Sequence, residues 1–180
     1  MSDGELLQAA KAHNLRFKAA VARVQEQLFD GRWDTDGSYG SVPLELDCGA
    51  DRYRFSLHRT GPVGAAPRVD PASLARRLTA EGWGPVEVRE FPGVSDDVVV
   101  IAEHPAAAVS KLYITYASRP HGVSISARST CAAGDSWAVL RLMKGDAGVL
   151  PEYPAREAPN DAPMFESMGA ARTSAAPGVE

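Results

Sequence analysis

The chain has 180 residues, of which 44% are hydrophobic, and its formal net charge at pH 7 is -4. This length suits one domain, since a body of about 150 residues buries roughly 70% of its unfolded surface in a single core. A negative charge without a basic arm excludes a protein that binds nucleic acid by neutralising phosphates. No apolar run reaches the length of about 18 residues that spans a bilayer, so we expect no membrane-spanning segment.

The N-terminal segment, residues 5–29, is predicted to be an amphipathic helix that ends at Gly31. Its apolar positions recur at alternating spacings of three and four: Leu7, Ala10, Phe17, Val21, Val24 and Leu28. Such a stripe most often covers a sheet. The alternative is a coiled-coil seam for dimerisation, in which Asn14 on the same stripe sets the register.

The loop after this helix has the spacing of a possible calcium site. Asp34, Asp36 and Ser38, with Glu45 eleven residues after Asp34, resemble the oxygen ligands of a calcium loop. Such a loop needs glycine at its sixth place, which Tyr39 occupies. The sequence therefore favours a plain Asx-rich loop and no metal site.

Three strands and a helix are predicted between residues 52 and 103. Apolar and polar residues alternate over 52–58, which indicates the first strand. Asp70 followed by Pro71 is a helix start, because aspartate caps the amide groups and proline fits the first helical position. A second strand carries Val86 and Val88, and the unbroken valine run of the third, residues 97–103, is typical of a strand covered on both faces.

Residues 109–131 are predicted to form an antiparallel hairpin around a short Pro/Gly connection, which makes five strands in all. The second strand of the hairpin leads to Cys131, and Cys48 is its only possible partner within the chain. A disulfide closing a loop of about eighty residues would stabilise the fold by roughly 4 to 5 kcal/mol and would indicate an oxidising compartment. The alternative is two unrelated buried thiols.

After a short helix that ends at Gly145, the composition changes. We expect one domain over residues 1–145 and a Pro/Ala-rich tail over 146–180, disordered or bound to a partner. One apolar cluster in the tail, Met164, Phe165 and Met168, is either a docking segment or an incidental patch.

No catalytic motif is recognisable. Gly134-Asp135-Ser136 resembles a serine-hydrolase motif, but Trp137 takes the place of the glycine that would help to form the oxyanion site, and Asp135 is better explained as a helix cap. Gly122 to Ser126 lacks the second glycine of a nucleophile elbow.

The four histidines, at positions 13, 58, 104 and 121, do not have the spacing of metal ligands. Of these, His13 is expected on a helix surface. No cofactor is expected, since no glycine-rich phosphate loop occurs.

One polar face is a candidate for anion binding. If the first strand pairs near the last, several outward side chains share one surface: Arg52, Arg54, His58, Lys111, Ser124, Ser126 and Arg128. Such a surface would attract an anionic polymer or a lipid headgroup, with Arg52, Arg54, His58 and Arg128 as its core. The alternative is the ordinary solvated side of an antiparallel sheet.

The order of these motifs resembles small actinobacterial envelope lipoproteins of the LppA-like type. The similar stretches lie between about Ala19 and Asp135 and read "FDGRW", "YG", "DCG" before "YRFSLHR", "DPASLARRLTAEGW" and "VSISARSTCAAGD". The resemblance implies a cell-envelope location and a Cys48–Cys131 pair, and it supplies no catalytic residue. The family's signal peptide and lipid-attachment cysteine have no counterpart in this sequence, and the first residues lack the pattern of a secretory signal.

We therefore expect an α+β domain in which a long N-terminal helix and the Asp70 helix pack on one face of a mostly antiparallel sheet of about five strands, with a short C-terminal helix. The expected function is that of a non-enzymatic accessory or binding protein of the cell envelope, which contacts another protein through the N-terminal helix or the tail. The alternatives are a carrier of a small ligand or lipid, and a hydrolase that uses Ser136. The expected location is extracytoplasmic, with the cytoplasm as the alternative.

Overall fold

The structure is a computed structural model that describes residues 1–37, 40, 42–45, 47–118, 121–145, 148–150, 154–159 and 161. It is an α+β fold, as predicted. The helices are α1 (Asp3–Leu28), α2 (Pro71–Ala80) and α3 (Ser136–Lys144), with a 3-10 turn at Pro105–Ala107. The strands are β1 (Trp33–Asp34), β2 (Arg52–Tyr53), β3 (Ser56–Thr60), β4 (Glu87–Phe91), β5 (Ser95–His104), β6 (Val109–Ser118), β7 (His121–Ser129), β8 (Ala132–Ala133) and β9 (Arg156–Glu157).

Seven strands form one antiparallel sheet in the order β4-β5-β6-β7-β3-β1-β9. The sheet is larger than the five strands predicted, because β1 and β9 have only two residues each and show no periodicity in the sequence. The predicted hairpin is β6 and β7, paired from Val109↔Ser129 to Ser118↔His121. The strands β2 and β8 make a separate two-stranded sheet.

The helices cover one face of the large sheet. Helix α1 begins with a capping box between Ser2 and Glu5 and buries its apolar stripe, including Phe17 and Val21, in the core. The stripe therefore covers a sheet and leaves no seam for a coiled coil. Helix α2 begins as predicted, with the Asp70 carboxylate accepting a hydrogen bond from the amide of Ser73.

His13 differs from the expectation of a surface position, since it is only 7% exposed. Its Nε2 lies 2.9 Å from the carbonyl oxygen of Thr130 and 3.2 Å from Oγ of Ser129, and its ring packs near Phe55. Desolvation by burial lowers the pKa of His13, and the contact with Thr130 offsets this only in part. The neutral imidazole is thus part of the core.

The face opposite the helices is open. Its side chains include the outward residues of β6, β7 and β3, and Tyr113 remains 36% exposed there.

The valine run of β5 predicts a strand that is covered on both faces of the sheet. Val100 is fully buried under the helices, whereas Ile101 on the open face is shielded by its cross-strand neighbours Glu87 and Tyr113.

The ordered fold continues past the boundary predicted at residue 145. Strand β9 pairs with β1 and places Glu157 inside the protein, where it is 5% exposed. Its carboxylate accepts from Nε of the fully buried Arg59 at 2.5 Å and from Nζ of Lys18 at 3.3 Å. Burial lowers the pKa of Lys18, while Glu157 acts in the opposite direction. A buried charged cluster thus adds to the pairing with β1 in holding this last strand.

Cys48 and Cys131 form a disulfide, with sulfurs 2.01 Å apart and Cα atoms 5.6 Å apart, which confirms the predicted pair. Within the described ranges, no helix combines the length and apolarity that a bilayer crossing needs.

Candidate binding groove on the open face

Three neighbouring strands, β3, β6 and β7, build a shallow groove on the open face of the sheet. Its volume is about 280 Å³. Side chains that point outward from a strand alternate with buried ones, so every second residue of each strand reaches this surface. The lining residues are Ser56, Leu57, His58, Tyr113, Ser126, Ala127 and Arg128.

The strand register places the polar members opposite one another. Ser126 on β7 lies between His58 on β3 and Tyr113 on β6, and Arg128 lies opposite Ser56. Directly opposed residues have Cβ atoms about 5 Å apart, so their side chains meet without any loop to position them. The groove thus gathers hydroxyl, imidazole, phenol and guanidinium groups on rigid backbone.

His58 has polar neighbours at both ring nitrogens. Its Nδ1 lies 2.8 Å from Oγ of Ser126, and its Nε2 lies 3.4 Å from Oδ2 of Asp36 and 3.5 Å from Oγ1 of Thr60. The Thr60 hydroxyl in turn donates to Oδ2 of Asp36 at 2.8 Å. The His58 side chain is 40% exposed, so the contact with Ser126 is accessible from solvent.

The charges around the groove are paired. Nη1 of Arg128 lies 3.6 Å from Oδ2 of Asp47, and both side chains are more than half exposed. Toward β5, Lys111 donates to Glu103 at 2.7 Å, and this hydrogen bond raises the pKa of Lys111. An exposed ion pair is worth about 0 to 1 kcal/mol, so the Arg128 pair is readily exchanged for a ligand.

The four cations of the predicted anion-binding face fall into two groups. His58 and Arg128 line the groove. Arg52 donates to the carbonyl oxygen of Cys131 at 3.2 Å, and the Arg54 guanidinium lies against both sulfurs of the disulfide, 3.1 Å from Cys48 Sγ and 3.3 Å from Cys131 Sγ. The structure therefore brings two of the four together at the groove.

Ser136 lies at the start of α3, where Asp135 caps the helix. Its hydroxyl donates to Oε1 of Glu45 at 2.9 Å, and the histidine contacts described above are made with other serines. Ser136 is only 5% exposed. This environment matches a structural serine.

The carboxylates of the possible calcium loop have separate partners. Asp34 accepts from the amide of Asp36 at 3.0 Å, Asp36 binds Thr60, and Glu45 binds Ser136. Ser38 and Tyr39 lie outside the described residues. Across the part of the chain that is described, no three His, Cys, Asp or Glu side chains are grouped so as to hold a metal ion.

The lipid-carrier alternative needed a cavity between helix and sheet. The side chains that would line it are fully buried and belong to one packed core: Phe17, Val21, Phe55 and Ile114.

The tail segment predicted as a possible contact element, the cluster of Met164, Phe165 and Met168, lies outside the described residues.

The contact between His58 and Ser126 was missed at the sequence level. Alternation placed both residues on one wet surface, which is correct. The contact itself depends on β3 lying beside β7, which brings together two residues 68 positions apart in the chain. Local pattern does not contain that information.

Comparison with protein-family models, with curated proteins and with solved structures gave no match.

Proposed function

We propose that the chain is a binding protein of an oxidising compartment outside the cytoplasm, and that its groove binds a small ligand that carries a carboxylate or a phosphate. The observation that carries the proposal is the convergence of donors from three adjacent strands, His58, Ser126, Tyr113 and Arg128, on one open surface. Rigid strands hold such groups in place before a ligand arrives, which lowers the cost of binding.

Arg128 is the proposed anchor of the anion. Its carboxylate partner Asp47 is 71% exposed and 3.6 Å away, a distance longer than a direct hydrogen bond. A ligand oxyanion that meets the guanidinium in bidentate geometry would make a stronger contact than this pair does. Ser56 would supply a hydroxyl donor beside it.

The compartment is proposed from the disulfide and from the resemblance to LppA-like envelope lipoproteins. A bond that joins residues 83 positions apart persists in an oxidising environment and is rare in the cytosol. The long helix is not proposed as the contact element, because its apolar stripe packs in the core.

The proposal is tested by titrating the protein with inorganic phosphate at fixed ionic strength and following the backbone amides of β3 and β7 by NMR. We expect progressive shifts centred on Arg128, and at least about tenfold weaker binding in Arg128→Gln. Arg76→Gln is the matched control, since Arg76 is an exposed arginine on α2, donates to Ser73 and is not among the residues that line the groove. Equal affinity in the two variants, or no shifts in the groove, would overturn the proposal.

A further inference from the structure

We propose that Ser126 is a nucleophile for acyl transfer from small carboxylic esters, with His58 as its general base and Asp36 as the residue that positions His58. This goes beyond ligand binding and rests on the contacts of three side chains. It shares Arg128 with the proposed anion site, and its test reads covalent labelling of Ser126 and not the binding of phosphate.

The hydrogen-bond directions fit this role. Nδ1 of His58, 2.8 Å from Oγ of Ser126, can accept the hydroxyl proton only if the ring carries its own proton on Nε2. Oδ2 of Asp36 lies 3.4 Å from that nitrogen and favours this tautomer. Thr60 donates to the same carboxylate oxygen at 2.8 Å and holds it in place.

Solvent access distinguishes Ser126 from two other serines whose hydroxyl groups contact a histidine or a carboxylate. Ser129 also contacts a histidine, His13, but it is fully buried and no substrate reaches it. Ser136 donates to Glu45 and is 5% exposed. Among the described residues, Ser126 therefore combines a contact to an imidazole with a half-buried position in an open groove.

Side chains would stabilise the developing oxyanion. Inside a strand the backbone amides are used by the ladder, so the usual amide donors are not offered to a substrate. Tyr113, directly opposite Ser126 on β6, and Arg128, two residues along β7, both line the groove and bring a phenol and a guanidinium. The groove is small and shallow, which favours a short acyl group.

The reaction would run in two balanced steps. Oγ of Ser126 bonds to the ester carbonyl carbon while its proton passes to Nδ1 of His58. The bond to the alcohol oxygen then breaks, and that oxygen leaves with the proton from His58. In the second step water attacks the acyl-serine and gives a proton to His58. Ser126 recovers this proton as the carboxylic acid departs, so ester and water give acid and alcohol.

The probe is diisopropyl fluorophosphate, which forms an O–P bond with an activated serine and releases fluoride. We expect one phosphoryl group per chain, located on Ser126 by peptide mass spectrometry. Ser126→Ala should abolish labelling. Ser124→Ala should not, and it is a close control because Ser124 faces the same surface of the same strand and loses the same hydroxyl. His58→Gln should slow labelling by about 100-fold or more.

Asp36 is tested by a spectroscopic signature as well as by rate. In Asp36→Asn the ¹⁵N shifts of the His58 ring should lose the Nε2–H pattern and labelling should slow. A purely structural role would leave the ring shifts unchanged. Asn is tolerated at this position, where φ is 48°, so the backbone is preserved.

Three results would overturn the inference: no labelling of the native protein, labelling at another residue, or equal rates in His58→Gln and the unmodified chain. The phosphate titration tests ligand binding at Arg128, and the fluorophosphate tests the reactivity of Ser126. A negative result in one experiment therefore does not decide the other.

Discussion

Nζ of Lys18 on the first helix lies 3.3 Å from Oε2 of Glu157 on the last described strand, with both side chains less than 10% exposed. The other carboxylate oxygen of Glu157 is held by the fully buried Arg59. Two strongly buried cations thus share one carboxylate, which is delivered by a strand of two residues. This contact holds the edge strand β9 in addition to its pairing with β1.

Glu157→Gln should lower the free energy of unfolding by about 3 to 5 kcal/mol, because removing one partner leaves charge in a low-dielectric interior. Urea denaturation followed by circular dichroism measures this loss. Glu87→Gln is the control, since Glu87 forms a solvent-exposed pair with Arg89 and its replacement should leave the midpoint unchanged. Equal effects of the two substitutions would contradict the role given to β9.

The double substitution Cys48→Ser with Cys131→Ser should lower the free energy of unfolding by about 4 to 5 kcal/mol, because opening the loop restores chain entropy to the unfolded state. Denaturant unfolding of both proteins tests this. A reductant should bring the unmodified protein to the stability of the variant and leave the variant itself unaffected. An unchanged midpoint in the variant would show that the disulfide contributes nothing to equilibrium stability.

The stability of the protein should fall on mild acidification because of His13. Burial lowers the pKa of His13 below the ordinary value of 6.5, so as the pH drops below 6.5 the unfolded chain binds a proton that the folded chain does not. The free energy of unfolding then decreases by up to about 1.4 kcal/mol per pH unit until the folded pKa is reached.

This dependence is measured by urea unfolding at about pH 7.5 and about pH 5.5. In His13→Gln, whose amide can still donate to the carbonyl of Thr130, the His13 contribution should disappear. The same slope in both proteins would assign the acid sensitivity to other groups.

Gly61→Ala should destabilise the fold by about 1 to 3 kcal/mol through overpacking. A Cβ at Gly61 would lie 2.8 Å from Cε2 of Phe29 and 3.1 Å from the carbonyl oxygen of Val123, and that oxygen is fixed by its bond from the Gly61 amide. Thermal unfolding measures the loss. Gly4→Ala, where a Cβ meets nothing within 4 Å, should show none; a similar drop in both would argue against close packing at Gly61.

The sequence was sufficient wherever structure follows from neighbours in the chain. Asp70-Pro71 marks the start of α2, and the alternation on either side of residue 120 gives the β6–β7 hairpin. The disulfide was predictable because the chain offers a single pair of cysteines. The α+β class follows from the same local signals.

Long-range relations were beyond the sequence. Nothing local distinguishes Arg156–Glu157 from other polar dipeptides, since its burial depends on Lys18 and Arg59. The expected surface position of His13 treats the imidazole as a solvated group, whereas the polar partners that allow its burial, Ser129 and Thr130, are more than 110 residues away in the chain. The elbow comparison tested Gly122 to Ser126 as a local motif, in which Ser126 takes the place of the second glycine; it could not reveal the contact of Ser126 with His58, which depends on strand order.

The cross-link between Cys48 and Cys131 closes a covalent ring that contains α2 and most strands of the large sheet, with α1 and α3 attached outside it. A protease that nicks the loop near Val63, whose side chain is 86% exposed, would cut this ring without releasing a fragment. The nicked protein would migrate as one species until a thiol is added.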